Sequence, residues 1–311
     1  MFTLLTYGFA LSNLARLNVV ALGTYEREGG ISDVERKAKD EKLGFAVTLL
    51  CKASGLFEHI GTTVLSDAEQ TAGWHSGRSR PPELSKEVAS ALSKYAYPSR
   101  SYLPAHPYNL TSPSLSSPHR LSLASAQALA IRKLMTKSSY DSIIAPGPPL
   151  PASHPSPALL AKLHLEASTL CASAESLLRI PASRKNDMEV TEPLLRYARD
   201  GAALHGALAR KWLGADAGAR DTSGVAVGFL GWAKRELDTL RDGGGAGPRV
   251  GGKEEGRDGR RERRERITAE AEDVAQFLRY YTRMNDTVRT RVHIYMPRLR
   301  LSPDQTGAYS F

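Results

Sequence analysis

The sequence predicts a mainly all-α fold, a scaffold of packed helices. Three observations lead there. Apolar residues recur at three- and four-residue steps through most of the chain, the spacing of amphipathic helices. Two strongly helical segments meet at one proline-packed elbow between Leu121 and Ala167. No constellation of residues with catalytic spacing accompanies them, so packing and recognition are the themes to follow.

Residues 2–22, FTLLTYGFALSNLARLNVVAL, are apolar enough to imitate a signal sequence or membrane anchor. Asn13, Arg16 and Asn18 interrupt the run and no basic residue precedes it, so a buried scaffold helix is the better reading. Met1 falls within that helix, with no capping residue ahead of it. Ser32 and Glu35 have the spacing of a capping box and open a long helix whose inner face carries Phe45, Leu49, Leu56 and Ile60. A loop with Gly73, Gly77, Pro81 and Pro82 follows, then a helical pattern from Glu83 to Lys94. Residues 95–122 hold five prolines and seven serines and read as a disordered insertion.

From Leu123 the residues Ala126, Ala130 and Leu134 recur on one helical face beside Ile131, while Arg132, Lys133 and Lys137 fall elsewhere. Pro146, Pro148, Pro149, Pro151 and Pro155 remove backbone donors and stop this helix near Ile144. Ser156 as N-cap and Pro157 at the first helical position start the next. Plotted at 100° per residue, Leu159, Leu160, Leu163, Ala167, Leu170, Cys171, Ala174, Leu177 and Leu178 share a stripe about 120° wide, with Leu165 and Ile180 outside it. An apolar residue off the core face either meets a further layer or serves a partner.

Leu194–Leu213 reads as an alanine-rich helix closed by Arg210, Lys211 and a C-cap at Gly214, with Trp212 as a core anchor. Val225, Phe229, Trp232, Ala233 and Leu240 supply the next inner face, Trp232 as a second anchor. Residues 243–259 form a flexible linker inside the domain; its glycine run follows a helix, where a dinucleotide fold would have a strand. Ile267, Ala271, Val274, Leu278 and Tyr281 line a last long helix, and residues 291–311 are a divergent tail.

The formal net charge of +9 raises the question of nucleic acid or membrane. Between Lys253 and Arg266 seven basic residues alternate with five acidic ones, where a phosphate binder would be mostly basic, so nucleic acid is not expected. Weak attraction to an anionic membrane surface is compatible with the balance. Cys51 and Cys171 lie in apolar helical runs and read as buried, reduced thiols. The eight histidines are scattered, with no His-x-x-x-His pair, no Cys-x-x-Cys and no Gly-x-Ser-x-Gly elbow. No catalytic residue, metal or cofactor is therefore expected, and His164 and His205 read as hydrogen-bonded structural residues.

At LASAQALA (123–130) the chain resembles the leucine-, alanine- and glutamine-rich helix of the BRO-one domain, shared by ALIX-type adaptors of the ESCRT pathway. The elbow APGPPLPASHPSPALLAKLHLE (145–166), with FTLLTYGFALSNLAR (2–16), ISDVERKAKDEKLGFAVTLLCKASG (31–55) and ALARKWLG (207–214), is more similar still to that family's fungal ambient-pH regulators. YYTRMNDTV (280–288) resembles the last family helix, and the residues after it diverge. The resemblance implies a partial BRO-one domain over residues 1–290, an α-solenoid with tetratricopeptide-like helical packing that lacks the family's N-terminal β part. It further implies a non-enzymatic adaptor that binds the C-terminal amphipathic helix of the filament-forming ESCRT-III subunit and works with a plasma-membrane pH-sensing complex. Such an adaptor supports proteolytic activation of a PacC-type transcription factor, from the cytoplasm, at cortical sites of the plasma membrane or at endosomes. General endosomal sorting is the alternative within the family. Leu165, Leu170 and Ile180 are the candidate partner-binding residues, and Tyr97-Pro98 with Leu103 resembles a tyrosine-proline-leucine ligand motif of ESCRT adaptors.

Overall fold

Seven helices run through the computed structural model, which describes residues 2–27, 31–64, 119–144, 147–179, 192–243 and 255–295. They are α1 (Phe2–Leu22), α2 (Asp33–His59), α3 (His119–Ile144), α4 (Pro157–Leu178), α5 (Glu192–Ala219), α6 (Ser223–Arg241) and α7 (Glu255–Tyr295). No strand occurs among the described residues, so the all-α reading holds. The readings for 73–94, for 95–118 with its tyrosine-proline motif, for 244–254, for Ile180 and for the tail beyond Tyr295 lie outside the described residues.

Each helix packs chiefly on its neighbours in sequence, from α1 on α2 through to α6 on α7, and α5 also touches α7. Local chemistry sets the starts. Ser32 caps α2, its Oγ accepting the Glu35 amide at 3.2 Å, and Pro157 occupies the first turn of α4. Two starts differ from the sequence reading. α3 begins at His119, inside the stretch read as an insertion, and α7 begins at Glu255, inside the stretch read as a linker.

The first layer joins α1, α2 and α3 through Leu5, Leu11, Ala15, Val19, Leu43, Leu50, Phe57, Ala126 and Leu129. Gly8 permits the approach of α1 to α2, because a Cβ there would lie 2.6 Å from the Phe57 ring. Arg132 of α3 closes the turn between α1 and α2: it donates to both Glu26 carboxylate oxygens at 2.8 and 2.7 Å and to the Gly23 carbonyl. Buried Tyr25 donates to Asp40 at 2.5 Å in the same turn. The run Asp33–Val64 is long and apolar enough to cross a membrane by length and composition, and 44% of its most apolar window is buried in this layer.

The second layer joins α4 to α7 around Leu160, Trp212, Leu230, Leu237, Ile267, Val274 and Phe277. Here Gly214 corrects the sequence reading. It is no C-cap, because α5 runs on to Ala219; a Cβ at Gly214 would lie 2.7 Å from Leu230 and 3.2 Å from the Ala226 carbonyl, so the glycine lets α6 press against α5. The inner face of α6 is Ala226, Leu230, Ala233 and Leu237; of the expected stripe Ala233 lies in it and Leu240 packs at its edge, but Val225 and Trp232 turn outward. Trp232 is accordingly 46% exposed, with the Arg210 guanidinium 4.0 Å over its ring, whereas Trp212 is buried as expected.

Other inner faces also shift. Phe45, Leu134 and Leu159 point outward, and Cys51 is exposed while Cys171 is buried. α3 explains its own share: it contributes Ala126 and Leu129 to the first layer and Ile131 to the second, so it buries two flanks and no single stripe.

Candidate partner-binding face

α4 positions the candidate residues. Its inner face is Leu160, Ala161, His164, Ala167, Cys171, Ala174 and Leu178, each turned to α3 or α5. Small residues bring α5 close: a Cβ at Gly201 would lie 3.1 Å from Cys171 Sγ, and Ser168 donates to the Ala202 carbonyl at 2.8 Å. On the outer face Leu165 is 59% exposed, flanked by exposed Lys162, Glu166 and Thr169. Leu170 is partly buried against the Cys171–Ala174–Leu178 cluster and so belongs as much to the core as to the surface. The structure therefore presents Leu165 and half-covers Leu170, while Ile180 lies outside the described residues.

Behind this face lies an ionic core that the sequence reading missed. Lys211, read as a helix-end cation, is buried in α5 and held by Glu270 at 2.9 Å and by Asp273, both from α7. Burial works to remove its proton, but the two carboxylates outweigh burial and raise its pKa. For Glu270, burial favours the neutral acid and Lys211 outweighs it, holding the carboxyl at about 2. The ammonium also sits 4.8 Å over the Trp212 ring. The trace in the sequence is the pair Glu270 and Asp273 flanking the Ile267–Ala271–Val274 seam, where carboxylates call for an inward cation.

His164 of α4 and His205 of α5 meet beside that core, their Nδ1 atoms 3.0 Å apart and both rings buried. Burial lowers His164 to about 4 and His205 to about 3, so both are neutral at physiological pH. They are the hydrogen-bonded structural residues expected, with the addition that each is the other's partner. At the elbow, the His154 ring lies 5.0 Å from the Trp212 ring, tilted 44° to it, and its Nδ1 bonds the Pro155 carbonyl at 2.6 Å. A shallow cleft between elbow and α7 is lined by Gly147, Pro148, Gln276, Arg279, Tyr280 and Arg283. Among the described residues no group of His, Cys, Asp and Glu could hold a metal ion.

These observations define the class: an all-α protein of sequentially packed helices, with an ionic core and an exposed leucine on one outer face. The chain is 33% identical over 333 aligned residues to the pH-response regulator protein palC of Cryptococcus neoformans var. neoformans serotype D (strain B-3501A), an alignment covering 93% of this chain. It is thus related to the palC-like pH-response regulators. The chain spans 63% of the length of that relative. No family model matches the chain, and no solved structure matches it.

Proposed function

We propose that this chain is a non-enzymatic adaptor in the ambient alkaline-pH response, built on a BRO-one-type helical array. In this reading it binds the C-terminal amphipathic helix of the filament-forming ESCRT-III subunit, which it brings to a plasma-membrane pH-sensing complex. The assembly then supports proteolytic activation of a PacC-type transcription factor. The protein acts from the cytoplasm, recruited to cortical membrane sites or endosomes. The likeness to palC supports the pathway, and the exposed Leu165 on a rigid helix face supports the mode of binding. Helix-in-groove recognition draws its affinity from a few apolar anchors of this kind.

A pulldown and titration with the ESCRT-III C-terminal helix tests the reading. Leu165→Asp should weaken binding at least tenfold, about 1.4 kcal/mol, while the melting profile stays unchanged. Equal binding by the wild-type chain and the variant would remove Leu165 from the interface; no binding by either would remove the adaptor reading.

A further inference from the structure

We infer that the contact between α4 and α5 is an acid-labile joint, with the buried pair His164–His205 as its trigger. The inference stands whether or not the partner reading holds, since it concerns the fold itself.

The geometry fixes the protonation. With the two Nδ1 atoms 3.0 Å apart, one ring donates and the other accepts, so the bridge needs both rings neutral or only one charged. A first extra proton must sit on the outer nitrogen of the donor ring and places a full charge in a buried site. A second puts N–H against N–H and breaks the bridge. The surroundings oppose both steps. Burial acts first against a charge on either ring, Arg266 of α7 acts against both, and Lys211 of α5 acts against one on His164. Glu270 of α7 acts the other way, yet it is already committed to Lys211 at 2.9 Å. On the flanking helices, Arg132 of α3 is held by Glu26, and Glu236 of α6 is held by Arg210 at 2.5 Å.

The sign follows from these directions. An opened joint returns each imidazole to its ordinary value of 6.5, above the folded values of about 4 and about 3. The open form therefore binds more protons below 6.5, and the stability of the closed joint, complete above that pH, is lost as pH falls toward 4. Glu270, lowered from 4.5 to about 2, begins to lose its own contribution only as pH falls below 4.5, so between pH 6.5 and 4.5 it adds nothing to the effect of the imidazoles. His154, also lowered by burial, contributes in the same direction from the elbow, so comparison with a variant is needed to isolate the pair.

The test uses the full chain. Urea unfolding is followed from pH 7.5 to 4.5 for the wild type and for His164→Asn/His205→Asn, which replaces the rings with neutral amides. The wild-type unfolding constant should rise with acid more steeply than the variant's, the excess approaching about 100-fold per pH unit below pH 6, tenfold for each proton. Equal slopes would overturn the proposal. Should the double variant fail to fold, the imidazole carbon shifts of the wild type decide. Both rings should stay neutral to pH 5, and titration near 6.5 would overturn the inference. Hydrogen exchange at pH 5 adds the location: α4 and α5 should lose protection before α1 and α2, and the reverse order would count against the joint.

Discussion

The α1–α3 layer and the α4–α7 layer are both sealed by apolar seams, but they place charge differently. In the first, Arg132 and Glu26 meet at the turn that joins α1 to α2, at the margin of the apolar cluster. In the second, Lys211, Glu270 and Asp273 lie among the apolar residues that join α5 to α7, with a histidine pair beside them. Arg132 and Glu26 keep 21% and 15% of their side-chain surface in solvent, whereas Lys211 keeps 4% against 22% for Glu270 and 41% for Asp273, so the charge that depends wholly on its partners is that of Lys211. Cohesion is similar, but sensitivity to mutation and to protons is concentrated in the second layer.

Mutations can break or sharpen this contrast. The largest effect is expected from Lys211→Ala, which empties a buried position and leaves two partly exposed carboxylates without their shared cation, and should cost about 4 kcal/mol in urea unfolding. Adding Glu270→Leu and Asp273→Leu should recover part of the loss. Arg132→Ala in the first layer removes charge-assisted bonds to Glu26 and should cost about 2 kcal/mol by the same measurement. If the two single variants cost the same, the contrast fails. Ser32→Ala takes away the cap of α2 and should cost about 1 kcal/mol, with faster amide exchange confined to its first turn. Smallest is Leu165→Asp, under ~0.5 kcal/mol on stability, because the side chain is already mostly in water.

Much of the architecture was legible before the coordinates. Capping at Ser32, the stop of α3 at Ile144, Pro157 in the first turn of α4 and the seam from Ile267 to Tyr281 rest on local or strictly periodic features and are legible in the sequence, whereas Ser156 precedes α4 without the side-chain cap bond expected of it. Phase was harder. In α6 several apolar residues lie outside the inner face, so periodicity alone allows more than one stripe, and only the fit of α6 against Gly214 selects Ala226, Leu230, Ala233 and Leu237. Gly214 itself misled for the same reason: a glycine after cations reads as a helix end, while its use here is to admit a neighbouring helix. The candidate face was partly legible. Leu165 was correctly set apart from the core stripe, Leu170 is half-claimed by it, and the Lys211 network depends on a helix about sixty residues away, a distance no local pattern spans.

α2 and α3 pack directly on one another although residues 60–118 separate them in sequence. The entropy of closing a loop grows only logarithmically, so doubling that connection would cost about 0.6 kcal/mol. The fit of α2 on α3 therefore depends on the two faces that meet and hardly at all on how many residues lie between them in sequence.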